Sequence, residues 1–252
     1  MGKVSASERN GLLEIKINRP ERRNAIDYDV MNELETILNG SEGNERLLAA
    51  IITGSGSKAF CSGGDLSVFG NITTVEEAMH MLSKMGDLLY RIMTLPVPTF
   101  ALINGTAVGG GMEIAAAADF RLVNEEASLG FIQGNQAITT GWGGSTMLFE
   151  KMQHDKALYM LTSGERMNAQ KAKELGFASR VFHSATFETD AYEYIRKSLI
   201  PYPDVIRAYK KVQINKWVSS GLKKRMQDEI AQCAELWAGE DHLNAVRQFF
   251  QK

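Results

Sequence analysis

Three consecutive glycines, Gly109 to Gly111, stand directly before an apolar segment that carries a single acid, Glu113. Bare glycine backbone lets N–H groups meet a ligand oxygen at close range, and at the start of a helix those groups add the positive end of the helix dipole. A carboxylate in apolar surroundings has a raised pKa and can work as a general acid or base. Donors and carboxylate on one short segment point to chemistry on a carbonyl compound, with a purely structural turn as the competing reading.

The rest of the chain narrows the class. With 252 residues and 44% apolar content, it can build one substantial core, or a core with a smaller appendage. The formal charge is −2 and basic residues are interspersed with acids, which argues against a nucleic-acid or anionic-membrane surface. Cys61 and Cys233 lie far apart without metal-like spacing, so neither a disulfide framework nor a zinc site is expected, and a reducing cytoplasm fits. No apolar leader opens the chain and no window approaches the roughly 18 apolar residues of a membrane span. A soluble cytoplasmic protein is the expectation.

Periodicity predicts a mixed α/β order. Leu13, Ile15 and Ile17 alternate with polar residues as in a half-buried first strand, and a turn follows at Asn18-Arg19-Pro20. Residues 27–38 place Val30, Leu34 and Ile37 on one helical face, with Asp27 or Asp29 as the cap. Leu47 to Thr53 reads as a buried strand, and 74–93 as a long helix opened by a Thr74/Glu77 capping box. Pro96 and Pro98 lead into a strand ending at Ile103, and Asp119 to Val123 forms another. From about residue 145 the signals are almost entirely helical, with Asn168 and Gly176 bracketing one helix and Pro203 opening another. A boundary near 198–203 divides a core domain, 1–198, from a C-terminal helical region, 199–252.

A second glycine loop, Gly63-Gly64-Asp65-Leu66, offers another unhindered N–H at Gly64; one donor from each loop would make a two-amide oxyanion hole. Gly54 to Ala59 formally fits a dinucleotide fingerprint, but Gly63 and Gly64 interrupt the helix that should follow and no ribose-binding acid is evident. Ser62 lacks a nucleophile elbow, and Cys61 has no histidine partner and reads as a small buried apolar residue. His80, His154, His183 and His242 show no metal-like spacing and are expected at the surface or at helix ends. Trp142 either lines an acyl pocket or covers the core, with the second reading slightly favoured.

Taken in order, Asn18-Arg19-Pro20 with Asn24-Ala25, Phe60 to Leu66, Pro96-Val97-Pro98 through Asn104-Gly105, Gly109 to Glu113 with Asp119, Gly141 to Gly144, and Leu161 to Gly164 with Gly176 resemble the crotonase, or enoyl-CoA hydratase/isomerase, superfamily across nearly the whole chain. The resemblance implies a spiral of ββα units with a helical C-terminal trimerisation region, assembled as a homotrimer or homohexamer. It implies an acyl-CoA substrate whose thioester enolate is held by the amides of Gly64 and Gly110. Coenzyme A would lie along Arg22, Arg23 and Ala25 and along Asp65 and Leu66, with Trp142 near the acyl group. No metal or redox cofactor is implied, coenzyme A being part of the substrate.

The two catalytic glutamates of typical hydratases fall on Glu113 and on Gln133. An amide orients water or a carboxylate but exchanges no proton near neutral pH, so two-glutamate hydration is in doubt. Three readings remain: a lyase or isomerase in which Glu113 alone shuttles the proton, a decarboxylase of methylmalonyl- or ethylmalonyl-CoA, and a non-catalytic CoA-binding protein. The first carries the most weight, and the Gly141-Trp142-Gly143-Gly144 turn, similar to that of some family decarboxylases, speaks for the second.

Overall fold

The structure, a computed structural model, describes residues 2–251. Strand β1 (Val4–Arg9) turns through Asn10 and Gly11, both at positive φ, and pairs antiparallel with β2 (Leu12–Ile17). The strand expected first is therefore the second. Strand β1 buries only Val4, so it carries no apolar alternation, and its one sequence signal is the Asn-Gly turn. Helix α1 (Tyr28–Ser41) runs three residues past the expected end, and Asp27 is its cap, accepting from the Val30 N–H at 3.0 Å.

Three turns then repeat one plan, each sending a strand into a six-stranded sheet, the next strand into a four-stranded sheet, and returning through a helix. The first is β3 (Ala49–Gly54), β4 (Ala59–Cys61), a short α2 (Leu66–Phe69) and α3 (Val75–Met93). The second is β5 (Thr99–Ile103), β6 (Thr106–Val108) and α4 (Gly110–Ala117). The third is β7 (Phe120–Asn124), β8 (Ser128–Gly130), α5 (Gly144–Lys151) and α6 (His154–Ser163). The sheet orders are β1-β2-β3-β5-β7-β10 and β4-β6-β8-β9, with successive turns of the spiral in parallel register.

The segment beyond residue 145 is not wholly helical. Strand β9 (Met167–Asn168) pairs antiparallel with β8, helix α7 (Ala169–Glu174) is capped by Asn168, and β10 (Arg180–Phe182) extends the large sheet beside β7. Two- and three-residue strands are too short to show a period, which is why neighbouring helical signals mask them. Helix α8 (Phe187–Ser198) covers a satellite core of Leu12, Ile51, Phe100 and Leu122.

Helix α3 buries Met81, Leu82, Met85, Leu88, Leu89 and Ile92, each contributing about 1.5–3 kcal/mol at most by its removal from water. Thr74 caps it by accepting from the Glu77 N–H, and Glu77 reaches back to the Thr73 N–H rather than to that of Thr74. Of the C-terminal helices α9 (Pro203–Ser219), α10 (Leu222–Trp237) and α11 (Glu240–Phe250), α10 packs onto α3 and touches the other two. The approach of α10 is close: a Cβ on Gly86 would lie 2.5 Å from Ile230. Lys210 of α9 forms a buried ion pair with Asp119, which also accepts from the Thr99 N–H and hydroxyl. No helix of the described residues is long and apolar enough to cross a membrane.

Candidate active site

The two glycine loops follow adjacent strands of the small sheet. Because β4 and β6 pair in parallel, with Ala59 opposite Thr106 and Cys61 opposite Ala107, the chain leaves both strands in the same direction and the loops lie side by side. A Cβ on Gly63, which sits at φ +93°, would be 3.0 Å from the backbone nitrogen of Gly110, so only glycine permits this approach. Gly109 at φ 56° and ψ −123° turns the chain into α4. Neither the Gly64 nor the Gly110 N–H has an acceptor among the described residues.

The Gly64 loop is anchored from the other side by the segment after β2. Ile26 donates to the Gly63 carbonyl at 2.9 Å, Ser62 to Arg23 at 3.1 Å, and Asp65 to Ile26 at 2.8 Å. The buried Asn24 amide donates to Ser55 and Ala59, while Arg19 donates to the Ala25 carbonyl at 2.7 Å and to Asp65 at 2.9 Å. Asp65 thus ties the loop down and caps α2 through Ser67. Burial pushes its carboxyl up, but Ser67 and Arg19 outweigh burial and leave it below the ordinary range.

Glu113 lies one turn into α4 and is 2% exposed. Its Oε2 accepts from the N–H groups of Trp142 at 2.8 Å and Gly144 at 2.9 Å; its Oε1 accepts from Gly141 at 3.3 Å and from the Gln133 amide at 3.1 Å. Gly144 must be glycine, since a Cβ there would lie 2.5 Å from Glu113 Cγ. Burial and then the charge of Glu229 raise the Glu113 carboxyl to about 8, against the opposing pull of the three backbone donors. Glu229, on α10, accepts from the Thr140 hydroxyl and from the N–H groups of Ser145 and Thr146, so it holds the glycine turn from behind. Sequence reading misses Glu229 because it sits in an ordinary amphipathic helix with no local motif.

One cavity of about 540 Å³ brings these elements together, of a size typical for a small-molecule site. Glu113, Gln133, Gly64, Gly110, Arg22, Arg23, Ala25, Asp65, Leu66 and Trp142, the full set singled out from sequence, all line it. Arg22 and Arg23 are exposed members of that lining. Trp142 is 4% exposed and its ring lies where a Gly110 side chain would be, 2.1 Å from the notional Cβ, so it both covers the core and forms a cavity wall. Sequence reading did not single out Gln136, Arg166, Cys233 or Phe250, which also line the space.

The thiols are inert by environment: burial pushes both Cys61 and Cys233 up to about 12. Of the histidines, His80, His154 and His183 are exposed, whereas His242 is only 1% exposed. It does lie at a helix start, but not at the surface, because its Nδ1 bonds the Gln136 carbonyl at 2.7 Å and its ring packs on Trp237.

The chain that builds this cavity, a spiral of paired sheets, has clear relatives. The enoyl-CoA hydratase/isomerase pattern matches residues 7–252, and the chain belongs to that family. The ethylmalonyl-CoA decarboxylase of Xenopus tropicalis is 33% identical over 243 residues, covering 94% of this chain and 79% of that protein. The short-chain-enoyl-CoA hydratase of Clostridium acetobutylicum is 27% identical, covering 94% and 90% of the two chains. Among solved structures, an enoyl-CoA hydratase/isomerase from Xanthobacter autotrophicus Py2 superposes with a TM-score of 0.89 at 22% identity, over 100% of this chain and 94% of that one, a likeness of fold.

Proposed function

We propose that the protein decarboxylates a short-branched malonyl-type CoA thioester such as ethylmalonyl- or methylmalonyl-CoA. The observation that carries this reading is the state of Glu113: both carboxylate oxygens are engaged by four N–H donors, and the position that would supply a second carboxylate supplies an amide bound to the first. Hydration needs two proton-exchanging groups. Loss of CO₂ generates the enolate with no base at all, which is the chemistry such a site can perform.

In this reaction the bond from Cα to the carboxylate breaks and its electron pair passes into the thioester, forming an enolate whose oxygen accepts from the Gly64 and Gly110 N–H groups. Both donors are fixed before the reaction and strengthen as negative charge moves onto the oxygen. CO₂ leaves, and Cα then takes one proton. Glu113, raised to about 8, carries a proton through much of the neutral range and lies on the cavity wall, so it serves as the acid and recovers its proton from solvent. Arg22, Arg23 and Arg166, exposed cations on the cavity lining, are available to the CoA phosphates. The identity to an ethylmalonyl-CoA decarboxylase supports the substrate class.

Isomerisation or weak hydration of an enoyl-CoA by Glu113 alone is the second reading, favoured by the retained Glu113 and the likeness to a hydratase. A mass-spectrometric assay separates the two. Release of CO₂ from ethylmalonyl- or methylmalonyl-CoA at rates well above any turnover of crotonyl-CoA or a 3-enoyl-CoA is expected. Turnover of the enoyl substrates without CO₂ release would overturn the assignment.

A further inference from the structure

The turn that grips Glu113 has a second face. Between Thr140 and Thr146 the chain enters α5, and its N–H groups divide between two carboxylates. Those of Gly141, Trp142 and Gly144 donate to Glu113, with a fourth donor supplied by Gln133 from the 3₁₀ turn Gln133–Gln136. Those of Ser145 and Thr146 donate to Glu229 at 3.0 and 2.7 Å, and the Thr140 hydroxyl donates to it at 2.5 Å. Glu229 is half-buried on α10, so a residue of the C-terminal region pins both ends of a segment whose middle holds the active-site carboxyl. No cation pairs with Glu229 among the described residues. Around α10, Arg225 pairs with Glu150, Lys223 with Asp87 and Lys224 with Asp228, while Lys84 of α3 turns to Glu35 and Lys151 of α5 to the last carbonyls of α4. The Glu229 charge is therefore met only by backbone and hydroxyl dipoles and is felt across the turn.

We propose that Glu229 is a positioning residue for the protonation of Cα: it fixes where the Glu113 carboxyl stands and, as the charged acid across the shared turn, leaves the proton with Glu113. This deepens the decarboxylase reading and rests on it for the step in which the proton is used. In that step the Glu113 O–H bond breaks, the enolate electron pair forms the C–H bond at Cα, and the Glu113 carboxylate left behind takes a proton from solvent. Oε2 is held at 2.8 and 2.9 Å and Oε1 at 3.1 and 3.3 Å, so the loosely held Oε1 carries the proton. Burial and then the Glu229 charge raise this carboxyl to about 8. The other titratable group facing it among the described residues is Cys233, also on α10, which burial pushes up to about 12 and leaves neutral. The two duties of Glu229 have opposite signs: its charge favours the protonated acid, whereas the donors it holds in place favour the carboxylate. The charge prevails, because Glu113 stays high with all its donors in place.

The test compares Glu229→Gln, which keeps the length and one acceptor but removes the charge, with Glu229→Asp, which keeps the charge. Carbon-13 NMR of protein labelled at the glutamate side-chain carboxyl follows the titration of Glu113, whose signal is assigned by its loss in Glu113→Gln. The midpoint should fall by about 0.5 pH unit or more in Glu229→Gln and stay within about 0.3 pH unit of wild type in Glu229→Asp. A midpoint unchanged or raised in Glu229→Gln would overturn the proposal, since a residue that only holds the turn weakens the Trp142 and Gly144 donors when it is lost and moves the midpoint upward. Should Glu229→Gln fail to fold, a shift of more than about 0.5 pH unit in Glu229→Asp overturns it instead. In deuterated water, single-face deuteration of Cα should be lost at lower pH in Glu229→Gln than in wild type, by the same shift. CO₂ release from ethylmalonyl-CoA separates the two claims: release with an unshifted midpoint rejects the role of Glu229 alone, and a shifted midpoint without release rejects the decarboxylase reading alone.

Discussion

The side-chain amide of Gln133 donates to the carboxylate of Glu113 across 3.1 Å, joining the two positions into one hydrogen-bonded unit. The consequence is an asymmetric pair, one member able to exchange a proton and the other able only to orient. Glu113→Gln should therefore divide the candidate reactions. C–C cleavage needs no base, so CO₂ release should persist within about tenfold of wild type, while any hydration or isomerisation should fall by about 10²–10⁴-fold. In deuterated water the wild type should place one deuterium on a single face of Cα, and the variant should place it on both, read by mass spectrometry and NMR of the product.

Gln133→Glu sets a second carboxylate beside the first. Two acids at this separation share a proton, so one of the pair titrates well above the ordinary range. Hydration of crotonyl-CoA should rise at least several-fold, and decarboxylation should fall because the new charge repels the carboxylate of the substrate. Parallel assays of the two substrates across pH 6–9 check both directions.

The burial of Glu113 also has a sign in the stability curve. Its folded-state pKa, about 8, lies above the usual value of 4.5, so the native state holds more protons than the unfolded state between those two pH values. Stability therefore falls as pH rises through that window, by up to about 1.4 kcal/mol per pH unit from this group, and the loss levels off above about 8. Glu113→Gln should flatten that part of the curve. Urea denaturation at pH 5, 6, 7 and 8 measures the slope, and equal slopes in both proteins would contradict the raised pKa.

Much of this architecture is written locally in the chain. Asp27, Thr74 and Asn168 cap the helices they precede, and the apolar stripe of residues 78–92 faces the core as its period requires. Residues lining the cavity were legible because glycine runs mark places where backbone must be bare. What stayed hidden depends on distance in sequence. The Glu113 carboxylate takes its partners from residues 133–144, and Glu229 reaches the same turn from the C-terminal region; no local pattern encodes either contact. Gln136 carries no periodic or motif signal, and its place on the cavity follows only once the 3₁₀ turn is known. The small sheet escaped notice because strands of two or three residues have no measurable alternation.

The packing of Trp142 on Gly110 supplies the sharpest mutational test of the site's geometry. A Cβ at Gly110 would lie 2.1 to 2.9 Å from three atoms of the indole, so Gly110→Ala must displace either the ring or the start of α4. Overpacking of this kind costs about 1–3 kcal/mol, and it moves the Gly110 N–H that faces the cavity. The ring is large and 4% exposed, and the backbone N–H of the same residue is tied to Glu113, so the helix start gives way as readily as the ring does. Gly110→Ala should therefore lower both the thermal midpoint and kcat. Trp142→Ala removes the clash but opens a hole, at about 3–5 kcal/mol in a site that cannot collapse. The double variant should be more stable than the sum of the two losses, because the new methyl occupies space the indole has vacated. Additive losses in a double-mutant cycle would mean that the ring and the glycine do not share that space.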